Sequence, residues 1–516
     1  MAEFEELTQL ESLRGGMSTI SRKELVISNS KPGRKCSESS DPRIDTNWYG
    51  PNDPENPFNW SIWKKRIITL IALVATFTTL IDGTIITAAH EAINEEFHIS
   101  DAHFPNSYWP VMTWALGGGL SVLIILPLME DFGVRAGFLG TYFVFICFII
   151  PQAVTQSFVA LCICRFFAGA CVSVLANTSA GVISNIWEGN IARTIPISLY
   201  VLAYLSGSSI GPVIGGVIIQ SLDWRWIGYI QLIFYGALFP IYFVFFQESR
   251  GEVILLRRQR KSVGKLTAES SALRGKQLLQ KLRRSIQRPL YMLVTEPVVF
   301  FTTLWSAFTV GMIYLSTQSV EQVFRGLYGW TIPPACYVQS AIVLGQCCGW
   351  STVFISRRLF INSASRNKEK PGAYIPEARL YVSIPGSFIC LGGGLFVYAW
   401  TSFDFLPWIA PAIGIFLIGS GTVIVMNALT DYVVDSYSQY AGSAVAAVIL
   451  GENVFSAFLP LATQSMYERL GFNWASTLLG FIALALSCVP VMFVVWGKKI
   501  RARSQFMKEA VITERT

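Results

Sequence analysis

Long apolar runs alternate with short polar connectors along most of the chain. A helix rises 1.5 Å per residue, so about 20 apolar residues cross the roughly 30 Å hydrocarbon core of a bilayer. Helices are expected because backbone polar groups inside lipid need partners within the chain. We therefore predict an all-α integral membrane protein with about twelve spans of this length. The predicted spans are 66–90, 107–128, 136–154, 158–183, 195–220, 227–246, 298–320, 334–355, 380–400, 406–430, 441–466 and 476–496.

The positions of Lys and Arg predict the orientation. Basic residues concentrate before the first span at 64–66, in 247–297, in 357–379 and after Lys498. Residues 90–105, between the first two spans, contain acids but no Lys or Arg. The positive-inside rule then places both termini in the cytoplasm, and a plasma-membrane location is expected. The net charge of +7 is therefore a topological and lipid-facing signal rather than a sign of a nucleic-acid partner.

The chain divides into two similar halves. Asp223-Trp224-Arg225-Trp226 precedes the sixth span, and Asn473-Trp474-Ala475 precedes the twelfth. Two duplicated six-span halves around a site at the membrane midplane are an arrangement typical of transporters. The alternative is that these Trp residues only anchor the ends of the spans at the membrane interface, which gives the same pattern. The predicted segments are a disordered cytosolic tail (1–61), the first half (62–246), a basic cytosolic connector (247–297), the second half (298–497) and a cytosolic C-terminal tail (498–516).

Small residues form two stripes in the fifth span. One stripe is Gly207, Gly211 and Gly215, and the other is Ser208, Pro212 and Gly216. Residues four apart share a helix face, and small faces let helices approach closely. Pro212 cannot donate to the carbonyl of Ser208, so a bend is expected there, with a neighbouring group satisfying that carbonyl. The alternative is ordinary helix packing without a special role.

These residues resemble a family motif. The fifth-span pattern is similar to the antiporter motif of the major facilitator superfamily. Other matching segments are Asp53-Pro54-Glu55-Asn56-Pro57, Asn59-Trp60-Ser61, 164–169, Trp224-Arg225-Trp226, 376–380, 434–437 and 473–480. From about Asp53 to Ile500 the chain resembles the fungal twelve-span drug:proton antiporters. The resemblance implies the major facilitator fold in two six-helix pseudo-repeats and proton-coupled efflux.

The chain departs from the family pattern in two places. The cytoplasmic motif between the second and third spans keeps Glu130, Gly133 and Arg135, but Val134 replaces its first basic residue. By resemblance, this motif latches the two halves by charge, so a weaker latch is expected. In the eleventh span, Gly451-Glu452-Asn453 stands where related proteins often have Leu-Arg-Ser.

Charged residues inside spans are the main functional candidates, because a charge at mid-bilayer costs about 2.5–3.5 kcal/mol or more. Asp82 in the first span is either a proton acceptor or cation-binding group, or a solvated residue at the outer mouth. By resemblance, Arg165 in the fourth span takes part in proton coupling or substrate positioning; the alternative is a structural Arg that binds carbonyls. Glu452 and Asn453 are the candidates of the second half, unless Glu452 only pairs with another charge.

Other polar residues in the spans are candidates for lining a cavity. Asn177 follows Arg165 on the same small, polar helix face. Tyr314 and Gln318 are four apart in the seventh span, so they are expected to share a cavity face. Glu321, at the outer end of that span, is expected to be exposed to water. The remaining candidates are Tyr200, Tyr204, Gln231, Gln346 and Asn427.

The sequence indicates a transporter and not an enzyme. It contains no phosphate loop, nucleophile elbow or His-rich ligand set, and no ATP-binding domain, so we expect no cofactor or metal and an ion gradient as the energy source. We predict a monomeric, proton-coupled secondary transporter that exports a drug, toxin or secondary metabolite by alternating access. Its partners are a small-molecule substrate, protons and the lipid bilayer. The alternatives are an uptake symporter, a uniporter, or a membrane sensor that does not transport.

Overall fold

The computed structural model shows a bundle of long helices. The predicted N-terminal tail lies outside the described residues up to residue 47, as does the end of the C-terminal tail. The described residues are 48, 50, 52–101, 105–263, 271–367, 374–437, 440–504 and 506–507. Within them, eleven helices are long and apolar enough to cross a membrane.

The helices of the first half follow the hydropathy runs. They are Ile62–Ile85, Trp109–Phe132, Val134–Val154, Phe158–Ile186, Asn190–Ile219 and Arg225–Phe245, the first to sixth spans. The first span begins at Ser61, whose side chain accepts a hydrogen bond from the backbone of Lys64, a typical helix N-cap. It continues through a 3₁₀ turn, Ile86–Ala89, into a short helix, His90–Phe97.

The connector and the second half contain more interruptions. The connector forms the helices Gly251–Val263 and Ser271–Thr295. The seventh span is Pro297–Tyr328 and the tenth is Ile409–Tyr437. The eighth, Ile332–Arg366, consists of the helices Ile332–Tyr337, Ser340–Trp350 and Val353–Arg366. The ninth, Pro376–Thr401, combines a 3₁₀ segment (Pro376–Leu380), a short helix (Ser383–Pro385), a π-helical segment (Gly386–Gly392) and the helix Gly393–Thr401.

The last helical stretch, Ala441–Arg501, contains two spans. Its 61 residues are far too long for one crossing of a core about 30 Å thick. Gly471 breaks the helix with φ 74° and ψ 163°, backbone angles that are open almost only to glycine. The chain therefore reverses at Gly471 between the eleventh and twelfth spans, and the prediction of about twelve spans is confirmed.

We expect Gly471→Ala to lower the thermal unfolding midpoint of the purified protein. A side chain at this φ and ψ stores about 1–3 kcal/mol of strain, although no atom lies near enough to collide with the added methyl group. The matched control is Gly236→Ala, a helical glycine that is equally open. Equal unfolding midpoints for the two variants would show that the turn tolerates a side chain.

Two apolar clusters form the interior. One consists mainly of residues between Ile68 and Phe246, and the other of residues between Met292 and Met507. The lipid-facing surface is also apolar, with large exposed side chains such as Ile233, Val159 and Phe481. Such a surface fits a hydrocarbon environment rather than water. The exact boundaries of the two predicted halves stay a prediction.

The first glycine stripe of the fifth span packs on the first span. A Cβ atom on Gly211 would lie 2.8 Å from the backbone nitrogen of Ile85, and one on Gly215 would lie 2.9 Å from Cβ of Ala88. The hydroxyl of Thr84 donates a hydrogen bond of 2.7 Å to the carbonyl of Ser208, which Pro212 leaves without a helical donor. The first and fifth spans are thus in direct backbone contact.

Candidate functional site

A cavity of about 940 Å³ lies between the two halves of the chain. It extends from Trp114, Tyr204 and Glu452 in the middle of the bundle to Arg193 and Arg250 at one end. We call this end the connector face, because the connector begins there, and the opposite end, around residues 86–108, the far face. The volume falls within the range that suits drug-sized ligands.

An ion pair is buried behind the wall of this cavity. A guanidinium nitrogen of Arg165 lies 3.0 Å from a carboxylate oxygen of Asp82, and the two side chains are 1% and 0% exposed. Arg165 also donates to three backbone carbonyls, those of Asp82 at 2.6 Å, Gly83 at 2.8 Å and Pro110 at 3.3 Å. Arg165 therefore forms an ion pair and, at the same time, binds backbone carbonyls as a structural Arg does.

The second carboxylate oxygen of Asp82 accepts a hydrogen bond of 2.8 Å from the indole nitrogen of Trp114. The amide of Gln231 donates to the first oxygen at 3.2 Å, and Gln231 is itself near the hydroxyl of Tyr235. Asp82 is therefore fully enclosed, and its interpretation as a solvated residue at an outer mouth is wrong. Trp114 also lines the cavity, so one side chain separates Asp82 from that space.

Glu452 has a different environment from Asp82. It lines the cavity, is 4% exposed, and accepts a short hydrogen bond from the hydroxyl of Ser306. Within the described part of the chain, no Lys, Arg or His forms an ion pair with it. The alternative that Glu452 only pairs with another charge is therefore wrong for these residues. Asn453 also lines the cavity, and its amide donates to the carbonyl of Ile449.

Only some of the other candidates line the central cavity, since Gln231, Tyr314, Gln346 and Asn427 are not among its lining residues. Asn177, Tyr200 and Tyr204 line the cavity. Tyr314 packs against Trp114, with ring centroids 6.4 Å apart. Gln318 instead lines a second cavity of about 400 Å³ near the far face. The prediction that Tyr314 and Gln318 share one cavity face is wrong, because Gln318 lines the second cavity whereas Tyr314 is among the lining residues of neither cavity.

The two halves are in contact at the far face. Arg325 of the seventh span lies 2.6 Å from Glu91 and 3.0 Å from Glu321. His90 lies 3.5 Å from Glu321. Glu321 is 4% exposed, so the expectation that water surrounds it is wrong. Gln464 of the eleventh span donates to a backbone carbonyl of the first half at residue 101. These contacts close the far face.

The motif expected to latch the halves binds within the first half instead. The backbone nitrogens of Val134 and Arg135 donate to the carboxylate of Glu248, just after the sixth span, at 3.1 and 3.3 Å. The guanidinium of Arg135 donates to the carbonyl of Phe243. Gly133, with φ 94°, lies against the same carboxylate. Among the described residues, these contacts of Gly133 and Arg135 stay within the first half, and the side chain of Glu130 lies outside the described residues.

A different cluster joins the halves at the connector face. Arg379, at the start of the ninth span, lies 3.0 Å from Asp431 and 3.1 Å from Asp435 of the tenth span. It also donates to the hydroxyl of Thr194 of the fifth span at 3.0 Å. Arg193 lies 3.8 Å from Asp435. The fifth span is therefore tied to the second half beside the cavity.

The segment before the first span is attached to the connector. Arg258 donates to both carboxylate oxygens of Asp53, at 2.8 and 3.1 Å, and to Glu55. The hydrogen bonds to Asp53, and then those to Glu55, raise the pKa of Arg258. The Asp53-Pro54-Glu55 part of the family resemblance thus has a structural role in this chain.

Sequence reasoning missed Trp114, Ser306 and Arg379. Trp114 had a usable signal, because it lies more than one turn inside its helix rather than at the helix end, where a Trp that anchors at the membrane interface is usual. Arg379 was visible only as part of a family segment. Nothing in the sequence distinguished Ser306 from other serines, which are frequent in membrane helices.

The helix bundle, the cavity that extends to one face and the contacts that close the other define a membrane transporter. The family model of the Major Facilitator Superfamily matches residues 71–460. The citrinin biosynthesis cluster MFS transporter mrr1 of Monascus ruber is 33% identical over 476 residues, 89% of this chain and 91% of that protein. The MFS-type efflux pump MFS2 of Trichophyton rubrum is 32% identical over 466 residues, 89% of this chain and 77% of that protein.

The fold has a counterpart among solved structures. The proton:xylose symporter XylE matches with a TM-score of 0.61 and 14% identity, over 85% of this chain and 96% of that chain. The chain belongs to the Major Facilitator Superfamily. The predicted family and fold are thus confirmed, and the family is one of transporters rather than enzymes.

Proposed function

We propose that this protein exports a small organic compound, a secondary metabolite or a toxic compound, in exchange for protons. The observation that carries the proposal is the central cavity, which extends to the connector face while contacts between the halves close the far face. Such a cavity can accept a ligand from one side of a membrane. The connector face is basic, which supports its assignment to the cytoplasm of a plasma-membrane protein.

Export requires the cavity to open at the far face. We propose that segments 62–246 and 298–497 rock against each other as the two moving units. The ion pairs between Arg325, Glu91 and Glu321 would then separate, together with the hydrogen bond from Gln464. The close contact between the first and fifth spans would stay intact, because both spans lie in the first unit.

The residues would act in different ways. Asp82 and Arg165 would hold the first span against the fourth. Trp114 would link this ion pair to the cavity wall, because it binds Asp82 and lines the cavity. Asn177, Glu452 and Asn453 would contact the ligand, since they line the cavity directly. Tyr314 would support Trp114 from behind. Proton exchange needs a group that gains and loses a proton, and the in-span carboxyls are the candidates for it.

The names of two relatives support the direction and the substrate class. One relative is named for a citrinin biosynthesis cluster, and another is named an efflux pump. A transporter that accompanies a biosynthetic cluster is most simply used to remove its product. The likeness to a proton:xylose symporter concerns the fold alone at 14% identity.

The test uses the purified full chain in liposomes with an imposed pH difference. Internal pH is recorded while tetraphenylphosphonium, neutral progesterone or the aromatic acid citrinin is added. We expect at least one compound to move against its gradient together with an opposite proton flux that protein-free liposomes lack. Substrate movement without proton flux would indicate a uniporter, and flux in the same direction a symporter. Either result would reject the proposed exchange.

A further inference from the structure

We infer that the central cavity binds organic cations at the carboxylate of Glu452, and that a proton and the cation compete for this one carboxylate. The inference deepens the proposed function and rests on it for the transport cycle. The binding step itself can be measured without transport.

The argument begins with the contrast between two buried carboxyls. Asp82 is compensated by Arg165 and receives further hydrogen bonds from Trp114 and Gln231. Glu452 has only the hydroxyl of Ser306 as a side-chain partner among the described residues. The carboxyl of Asp82 is therefore occupied, whereas that of Glu452 is available to a ligand.

An isolated carboxylate in a low-dielectric site is costly unless a positive charge or a proton accompanies it. Within the described part of the chain, the titratable groups that face Glu452 are the phenols of Tyr200 and Tyr204 of the fifth span and of Tyr314 of the seventh. Phenols are neutral near pH 7, so none of them supplies the missing charge. The negative charge of Glu452 can therefore be neutralised either by a proton on its carboxyl group or by a cation beside it.

The surroundings favour a cation with an apolar body. The rings of Tyr200 and Tyr204 lie 6.3 Å apart and both line the cavity, as do Trp114 and Met426. Aromatic faces attract cations, and more strongly where water is excluded. The combination of one carboxylate and several aromatic rings therefore suits an amine or a lipophilic onium ion.

No Lys, Arg or His is among the described residues that line the deep end of the cavity, so no lining side chain repels a cation there. The lining arginines, Arg193 and Arg250, lie at the connector face, where Asp435 and Glu252 respectively are ion-pair partners. An organic anion would meet Glu452 without a compensating cation, so the deep end disfavours it. The exchange of a proton for a cation at Glu452 conserves charge, because the carboxylic acid releases one proton and becomes the carboxylate when it binds one monovalent cation.

The experiment measures binding of two permanent cations, tetraphenylphosphonium and benzyltrimethylammonium, to the purified full chain by calorimetry. These probes do not titrate, so any pH effect belongs to the protein. We expect the affinity to fall as the pH is lowered. Titrations in buffers of different ionisation heat should show up to one proton released per cation bound. Failure of both probes to bind, or binding without proton release and pH dependence, would overturn the inference.

Glu452→Gln is expected to reduce the affinity at least tenfold at alkaline pH and to remove both the pH dependence and the proton release. The control is Glu188→Gln, which removes an exposed carboxylate outside the cavity and should behave as the unmodified chain does. Unchanged binding by Glu452→Gln would reject the assignment. If this variant does not fold, the proton release of the unmodified chain still decides the question.

The outcomes separate this inference from the proposed function. Cation binding with proton release but no flux in liposomes would refute export and leave the cation site intact. Proton-coupled movement of citrinin or progesterone without binding of either cation would support export and refute the cation site.

Discussion

Arg165→Ala is expected to lower the free energy of unfolding by about 3–5 kcal/mol, the usual cost of leaving one partner of a buried ion pair alone. The guanidinium of Arg165 is 1% exposed, so water cannot replace it without opening the bundle. Its removal leaves the carboxylate of Asp82 without a cation. It also leaves the carbonyls of Asp82, Gly83 and Pro110 without this donor.

The same contacts predict an unequal effect of the two partners. Asp82→Asn should be milder, because the asparagine keeps an oxygen for Trp114 and Arg165 keeps its three carbonyls. The double variant Asp82→Asn/Arg165→Ala should be more stable than Arg165→Ala, since no buried charge is left alone. Thermal unfolding midpoints of the four purified proteins give this ranking. A larger loss for Asp82→Asn than for Arg165→Ala would contradict it.

Gly211→Leu is expected to abolish transport in the liposome assay and to lower the thermal unfolding midpoint. A Cβ atom at this position would lie 2.8 Å from the nitrogen of Ile85 and 3.0 Å from the carbonyl oxygen of Ile81, and nearer still to the hydroxyl of Thr84. Two of these atoms belong to the backbone, so the helices must move apart. Overpacking of this kind costs about 1–3 kcal/mol, and a leucine adds three more carbons.

The control for this substitution is Gly236→Leu in the sixth span. Gly236 is also helical, but no atom lies within 4 Å of an added Cβ. The control adds the same apolar volume on the exposed surface and should retain both transport and stability. Normal transport by Gly211→Leu would show that the close contact between the first and fifth spans is not required.

The span count was predictable because the bilayer imposes a length of about 20 residues on each apolar run. The small face of the fifth span was also visible, since spacing by four fixes which residues share a face. The sequence did not reveal that this face lies on the first span, or that the hydroxyl of Thr84 would satisfy the carbonyl of Ser208. These contacts depend on helix rotation, which hydropathy does not determine.

The site was less predictable than the fold. Asp82, Arg165 and Glu452 stood out because charges are costly inside spans. The sequence did not show which residues pair with them, since Asp82 and Arg165 are 83 residues apart and meet only through tertiary packing. That no Lys, Arg or His of the described residues pairs with Glu452 could not be inferred either, because it depends on every neighbouring helix. Tyr314 and Gln318 were misplaced because spacing by four indicates a shared helix face but not which cavity, if any, lies beside that face.

The availability of the Glu452 carboxyl in the central cavity has an energetic consequence. If Glu452 holds either one proton or one monovalent cation, each cycle exchanges equal charges and is electroneutral. A membrane potential, worth about 2.3 kcal/mol per elementary charge per 100 mV, would then do no work on the cycle. Only the pH difference would drive accumulation, at most about tenfold, or about 1.4 kcal/mol, per pH unit. When the external pH equals its own, a cell could therefore no longer export the cation against a concentration gradient, however strongly its membrane is polarised.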